Sequence, residues 1–400
     1  MGLFSKKATP DQIAKALTTS APIAITGLGI ACHAGDEPHN LIRSIIAQVS
    51  GVRLSEEHQF IQKDGKSALP RMAPVLELLD DSERDRMYAL AKIALENIAT
   101  NFPANIKPES SVVVIVVDTE LLTRFKKIDV QHMQDYLTGN IPLLSSTTFR
   151  ILPNDAVSST TALRTALAEL NDGQWQSIIF GGADSLVSIY TCMELHNEIR
   201  LNIVGKREGL VPGEAAAFVL LQSAVSATKN TTPPLGYLRG VGVAPEPHAR
   251  NADIESTEGL SSAINQALTQ AGIAATEIQG IVHNLGAETV QSLEWHHTTQ
   301  ALWPRRVSEQ QRLAVENGEI EQADIPEDPI PDIECPYQTM GEVGAAALPM
   351  QLATALAWIQ YDAHQARWGF PIRNHLLVCD TPDAPERGAL IISPALAAVA

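Results

Sequence analysis

The order in which predicted strands and helices follow one another constrains this fold most, because the same order occurs twice. Each occurrence has two apolar strands, a turn of small residues that leads into a helix, and two further strands. The first comprises Ile23–Thr26, Val112–Val117, Ala156–Leu170, Ser177–Phe180 and Ala217–Leu221. The second comprises Leu235–Val243, Gly280–His283, Gly341–Tyr361, His375–Cys379 and Ala389–Ser393. Strands that alternate with longer helices predict an α/β protein, and the repetition predicts a duplicated unit.

The length of the chain supports a division into two halves of ordinary domain size. Its 400 residues are too many for one small core, and 45% of them are apolar, so burial should outweigh chain entropy. We predict an appendage over residues 1–21, a first half over 22–230 and a second half over 231–400. The boundary follows the polar stretch Ser223–Pro234, which ends in two prolines.

An acidic, proline-rich segment interrupts the second half over residues 303–335. We predict a short helix followed by an extended strap on the surface. The segment is either a solvated loop or a loop that binds a partner, and the sequence leaves both open.

The charge of the chain argues against several classes of function. With 29 basic and 46 acidic residues, the net charge is −17, so we expect neither a nucleic-acid nor a membrane partner. The four cysteines lie far apart, in no zinc-site or disulfide pattern. We therefore expect no metal or other cofactor and a reducing, cytoplasmic location. The first residues lack the apolar segment of a secretory signal.

Five short motifs occur in order across nearly the whole chain. They are Ile23–Ile30, Phe180–Ser185, Lys206–Ala215, Gly280–His283 with Glu294 eleven residues later, and Met340–Ala346. Together they resemble motifs of the β-ketoacyl-acyl-carrier-protein synthases, or ketosynthases, from about residue 22 to 394. The resemblance implies a thiolase-like α/β fold, in which two pseudo-symmetric halves form five layers in the order αβαβα.

The positions that match the family's catalytic residues have changed in this chain. The resemblance places Val157 at the nucleophilic cysteine, and an isopropyl group cannot be acylated. Ser158 is expected to cap the following helix rather than to act as a nucleophile. Glu342 stands at the second catalytic histidine, where a carboxylate would repel a developing enolate. Tyr337 stands at the supporting lysine.

The loop that closes the family's site has also changed, whereas two residues are retained. Pro382–Arg387 replaces a glycine-rich loop that completes the oxyanion hole, and Asp383 stands at its apolar gate residue. We expect an acidic, proline-stiffened turn there. His283 matches the first catalytic histidine and is either a structural residue or a general base. Glu214 lies in an intact motif and is expected to form a buried ion pair or hydrogen bond.

The adjacent histidines His296 and His297, with Glu294, raise the question of a metal site. Their spacing does not place three ligands on one helix face. We therefore interpret these residues as solvent-exposed helix surface.

Three functions are compatible with these residues. The first is a non-catalytic ketosynthase-like protein, a binding, adaptor or subunit-partner module, which the resemblance relates to chain-length-factor subunits or to proteins beside bacterial secretion cargo. The second is an acyl-thioester decarboxylase or hydrolase that uses His283 with Glu342 or Asp383. The third is a divergent condensing enzyme whose thiol comes from elsewhere. We favour the first, because four elements of the site have changed together.

The resemblance also implies protein partners. Ketosynthases pair through a strand beside the nucleophile helix, so we expect a homodimer, a heterodimer with a related subunit, or a complex with a cargo protein. We keep a monomer as an alternative, because the segment Lys126–Ile151 is shorter than in the family. An acyl ligand is left open. An acidic carrier protein would need a basic spot such as Lys126–Lys127 or Arg305–Arg306.

Overall fold

The computed structural model describes residues 22–55, 58–62, 65–78, 82–117, 130–153, 158–206, 208–229, 233–250, 257–286, 288–304, 308–321 and 330–395. The predicted appendage, Val157 and the two candidate basic spots lie outside these residues. The helices are α1 Pro38–Ile46, α2 Glu83–Asn101, α3 Val130–Asn140, α4 Ser159–Asn171, α5 Ile189–Asn197, α6 Ala224–Ala227, α7 Gly259–Ala271, α8 Thr289–Leu302, α9 Glu309–Glu316, α10 Tyr337–Met340 and α11 Ala347–Gln365. The strands are β1 Ile23–Ala31, β2 Arg53–Leu54, β3 Phe60–Ile61, β4 Ser67–Ala68, β5 Arg71–Met72, β6 Ser111–Val117, β7 Thr148–Pro153, β8 Ser177–Ser185, β9 Glu214–Ser223, β10 Gly236–Pro245, β11 Gly280–His283, β12 Asp332–Glu334, β13 Leu376–Asp380 and β14 Glu386–Pro394.

Ten of these strands form one sheet whose two halves repeat the same arrangement. The order is β12-β11-β13-β14-β10-β1-β9-β8-β6-β7. Counted outward from the centre, β1-β9-β8-β6-β7 corresponds to β10-β14-β13-β11-β12. The outer three strands are parallel in each half, and the central strands β1 and β10 pair antiparallel through three residue pairs. The duplication predicted from the order of elements is present in the sheet.

The helices complete five layers around the two halves of the sheet. On one outer side, α2 packs on β1, β8 and β9, with α3 against it. On the other outer side, α7 packs on β10 and β14, with α8 against it. Between the halves lie α4 and α11, each of which contacts strands of both halves. This is the αβαβα arrangement that the resemblance implied.

The middle layer explains why α11 is apolar on all sides. Thirteen of its residues are buried, among them Leu352, Trp358 and the polar Gln351 and Thr354. A helix that is apolar all round is stable only when other elements enclose it. Strands that it contacts are buried as well, as in Leu376–Asp380, so they are largely apolar runs without polar alternation.

The apolar pattern of the sequence predicts the central strands of the sheet but not its two short edge strands. β7 and β12 are the outermost strands of the sheet, and β12 lies within the predicted excursion 303–335. At the other end of that segment Trp303 is buried. Both ends therefore belong to the fold, while α9 is the predicted short helix and residues 322–329 lie outside the described part. β12 has three residues, two of which are acidic, so its sequence has no apolar alternation that would indicate a strand.

A tight contact fixes the start of α11 against the end of β8. Gly344 has φ +51°, and a Cβ at this position would lie 2.1 Å from Oδ2 of Asp184. The same Oδ2 accepts the N–H of Ala345 at 2.9 Å, and Oδ1 accepts the N–H of Ser185 at 2.8 Å. Only glycine combines this conformation with this approach.

We expect Gly344→Ala to lower the free energy of unfolding by roughly 2–4 kcal/mol, because it adds a steric clash to a strained backbone. Gly139→Ala in α3 is the matched control, since no atom lies within 4 Å of an added Cβ there. That helical substitution should raise the free energy of unfolding by about 0.5–1 kcal/mol. Urea denaturation measures both values, and equal stability of the two variants would contradict the assignment.

Candidate functional site

A cavity of about 230 Å³ lies where strand ends from both halves meet the beginnings of the two central helices. Leu186, Asn284 and Thr381, which directly follow β8, β11 and β13, line it. Ser159 and Ala347, the first residues of α4 and α11, line it from the other side. The carboxyl ends of strands in α/β proteins are the common place for ligand sites.

The structure brings together only some of the residues that the sequence singled out. Glu342 and Asp383 line the cavity, whereas β11 contributes Asn284 to it rather than His283 among the described residues. Tyr337 and Glu214 are buried in the surrounding framework. The position of Val157 lies outside the described residues.

The beginning of α4 is occupied by groups of this chain. Ser158 is the N-cap, as expected, and its Oγ accepts the N–H of Thr161 at 3.1 Å. Thr160 Oγ1 donates to Oδ2 of the buried Asp380 at 2.6 Å. Burial raises the pKa of Asp380 to about 6, although the Thr160 hydrogen bonds oppose this change. A carboxyl group thus lies where the positive end of the helix dipole favours an anion.

Asp383, in the predicted acidic turn, is paired with two arginines. Its carboxylate accepts from Arg200 Nη1 and Nη2 at 2.8 and 3.1 Å and forms an ion pair with Arg250. Arg200 also donates from Nε and Nη2 to Glu288, both at 2.8 Å. Burial opposes ionisation of Asp383, but the hydrogen bonds and charges of the two guanidinium groups hold its pKa below the ordinary value.

Arg200 is the functional residue that sequence reasoning missed. It lies 183 residues from Asp383 and 88 from Glu288, so no local pattern connects the three. The residue before it, Ile199, has φ +62°, an outlier for a β-branched side chain. Positive φ values at non-glycine residues cluster at functional sites, so this outlier is a local signal near the ion pairs.

A second buried arginine shapes the turn that replaces the family's closing loop. Arg387 Nη1 donates to the carbonyl oxygens of Pro382, Ala384 and Glu386 at 2.9 to 3.0 Å. Its Nε donates to Glu294 Oε1 at 2.6 Å. Glu294 is 3% exposed, so the expectation of exposed helix surface was wrong for this residue. It pairs across the fold with Arg387.

His283 is buried beside this arginine. Its Nε2 lies 3.2 Å from Thr381 Oγ1, and its ring packs on Trp295 with centroids 4.9 Å apart. Burial, assisted by the charge of Arg387, lowers its pKa to about 3. The imidazole is therefore neutral at pH 7 and packs as a core residue.

Glu342 is the group in the cavity with the most unusual protonation. Its Oε1 accepts the N–H of Gly344 at 3.1 Å. Burial, followed by the negative charge of Asp383, raises its pKa to about 7, although Gly344 and Arg200 favour ionisation. We expected a permanently ionised carboxylate at this position, but at neutral pH Glu342 is present in both a protonated and an ionised form.

Tyr337 and Glu214 hold the segments on which Glu342 rests. The hydroxyl of Tyr337 accepts the N–H of Val211 at 3.0 Å and lies 3.4 Å from the Gly209 oxygen. Glu214 is fully buried, pairs with Arg86, and accepts from Ser185 Oγ at 2.7 Å. Both side chains therefore act in the framework of the site.

Comparisons with known proteins give a match at the level of structure. No family model and no curated protein matches the sequence. Over 94% of this chain, the fold is similar to that of a chain in the complex of a type II polyketide synthase acyl-carrier protein with its hexaketide-bound ketosynthase, with a TM-score of 0.69, 13% identity and 100% of that chain covered. The ishigamide ketosynthase/chain length factor matches with a TM-score of 0.64, 17% identity and coverage of 94% and 99% of the two chains.

Two bacterial structures extend this likeness. The ketosynthase ApeO in complex with its chain length factor ApeC, from Xenorhabdus doucetiae, has a TM-score of 0.63 and 16% identity, covering 94% of this chain and 98% of that one. The ketosynthase from module 6 of the bacillaene synthase of Bacillus subtilis 168 has a TM-score of 0.67 and 14% identity, covering 94% and 72%. This chain has the thiolase-like ketosynthase fold.

Two further features of the described residues concern membranes and metals. None of the helices in these ranges is both long and apolar enough to cross a bilayer. Within the same ranges, His, Cys, Asp and Glu side chains form no group of three placed to hold a metal ion.

The pKa of Glu342 predicts a dependence of stability on pH. The pKa of Glu342 is about 7 in the folded protein and ordinarily 4.5, so folding favours the protonated carboxyl group. The stability that protonated Glu342 contributes is therefore fully present below about pH 4.5 and is lost as the pH rises through 7. Glu342→Gln cannot ionise, so its free energy of unfolding should fall less between pH 5 and 8 than that of the unchanged protein, by about 2 kcal/mol. Urea denaturation across this range is the measurement. Glu109→Gln on the surface is the control, and parallel pH profiles for all three proteins would rule out the assignment.

Proposed function

We propose that this protein is a non-catalytic ketosynthase-like module whose role is to bind a protein partner, as a subunit or as an adaptor. The observation that carries this proposal is the occupation of the candidate site by the chain's own charged groups. Asp383 at the gate position is paired with Arg200, and Asp380 lies at the beginning of α4. Condensation needs a nucleophile and hydrogen-bond donors for an oxyanion, and these positions present Val157 and carboxylates instead.

The exposed edge of the sheet at β7 supports the partner-binding part of the proposal. Among the described residues, β7 is the outermost strand of the first half, and β6 is the one strand that pairs with it. A strand edge presents backbone N–H and C=O groups that a strand of another chain can extend. Chain length factors occur in complex with ketosynthases in two of the similar structures. A second copy or a related subunit is the partner that best fits this edge.

The geometry also favours one alternative, an acyl-thioester decarboxylase with Glu342 as the acid. In that reaction the bond to the malonyl carboxylate breaks and CO₂ leaves. The electron pair of the broken bond forms the thioester enolate, which then takes a proton from Glu342 to give the acetyl thioester. A carboxyl group with a pKa near 7 is suited to this proton transfer. His283, buried and neutral, is less suited to the task.

Release of CO₂ from a malonyl thioester separates the two functions. We expect no turnover above that of a protein-free control, because the two guanidinium groups of the cavity are paired with Asp383 rather than available to an enolate oxygen. Glu342→Gln and His283→Ala should then equal the unchanged protein. Turnover that falls at least about tenfold in either variant but not in Glu109→Gln would overturn the non-catalytic proposal in favour of the enzyme.

Pairing through β7 predicts a dimer of this chain or of this chain with a related subunit. Light scattering on the purified chain should give twice the chain mass if two copies pair. Single cysteines at Thr148, Arg150 and Leu152 test the contact, because the four native cysteines are buried and contribute little background. At least one β7 variant should cross-link on oxidation.

Asp332→Cys on β12, the opposite edge of the sheet, is the matched control and should stay unlinked. A monomer whose β7 cysteines remain reduced would contradict pairing of two copies. Cross-links at Asp332 alone would place the interface at the other edge.

A further inference from the structure

The cavity contains buried amide groups whose hydrogen-bonding capacity is not used within the described residues. Gln351 on α11 is 1% exposed, and its Oε1 has no partner there. Asn284 after β11 is 6% exposed, and neither of its amide atoms has one. Both side chains line the cavity, as does Gln291, whose Oε1 is also unpartnered. Buried polar atoms in native proteins are nearly always satisfied, so several together indicate a bound molecule.

The charges around the cavity select the kind of molecule. Its lining includes two guanidinium groups, Arg200 and Arg250, both of which pair with Asp383. The lining also includes the carboxyl groups of Glu194, Glu198, Glu342, Asp380 and Asp383. This excess of acidic groups, together with the unpartnered amide oxygens, favours a cation with several hydrogen-bond donors over an anion.

The remaining wall of the cavity is apolar. Leu186, Leu195, Leu210 and Leu348 contribute to it. These side chains suit a short alkyl group, and a volume of about 230 Å³ limits its size. A metal ion would leave this wall without contacts, and the described residues hold no three-ligand cluster.

We propose that this cavity binds a small organic cation that carries a primary ammonium group on a short alkyl chain. An ammonium group has three N–H donors and no acceptor. These donors match the Glu342 carboxylate and the oxygens of Gln351 and Asn284, while the alkyl chain lies on the leucine side chains. The proposal goes beyond the proposed function, since it requires neither a protein partner nor acyl chemistry.

Calorimetric titration of the full chain with n-butylammonium chloride at constant ionic strength tests the proposal. We expect saturable binding with a Kd on the order of 1 mM, typical of a ligand this small. n-Butanol lacks the charge and tetramethylammonium lacks the donors, so each should bind at least about tenfold more weakly.

Two variants assign the binding to the cavity. Glu342→Gln removes the charge with little change of shape, and Gln351→Leu removes an acceptor. Each should weaken n-butylammonium binding at least about tenfold, whereas Glu109→Gln on the surface should not change it. The Glu342→Gln result stands on its own if Gln351→Leu disturbs the core.

The pH dependence of binding provides an independent readout. The charged groups that face Glu342 are Asp383, Arg200 and Glu288. Affinity should rise between pH 6 and 8 as Glu342 ionises, and it should rise less in Glu342→Gln, in which only Asp380 of these two carboxyl groups, with a pKa of about 6, still ionises. No saturable binding, equal binding of n-butanol, or unchanged affinity in both variants would overturn the proposal. Because self-association through β7 is measured separately, failure here leaves the proposed function unaffected.

Discussion

The structure depends on the burial of two helices between the two halves of the sheet. α4 and α11 contact strands of both halves, and α11 is enclosed along most of its length. Neither half could keep these apolar helices from water alone, so the hydrophobic effect joins the halves into one body. The same arrangement brings the beginnings of both helices to the strand ends and thereby creates the cavity.

Burial also determines the chemistry of the cavity. A buried charge is costly unless it is paired. This cost explains why Arg200 joins Asp383 and Glu288 at the cavity, and why Arg387 joins Glu294 in the core. Glu342 lacks a guanidinium partner of this kind in the described residues, and its pKa rises accordingly. Asp383 and Glu342 line the same cavity, but the pKa of Asp383 is lowered and that of Glu342 is raised because they have different partners. Within this thiolase-like ketosynthase fold, ion pairs of Arg200 therefore lie at the cavity where the strand ends of both halves meet.

Much of the framework could be predicted from the sequence. Strands such as Gly280–His283 and helices such as α2 are long or apolar enough for their own periodicity to define them. The short edge strands β7 and β12 could not be predicted, because an edge strand takes its stability from its neighbour rather than from an apolar pattern. The helix cap at Ser158 was predictable because it depends on residues three apart.

By itself, the sequence determined the duplicated α/β architecture and the identities of the side chains at the matched site positions, since both are local patterns. Only the tertiary structure decided how those side chains are charged. From the sequence, Asp383 is an acidic residue at the position of the family's gate residue. In the structure it forms an ion pair, because folding brings Arg200, 183 residues away, into contact with it. Glu294 likewise changes from apparent helix surface to a buried partner of Arg387. Electrostatic interactions depend on distance in space and on burial, and neither quantity is contained in the linear spacing of residues.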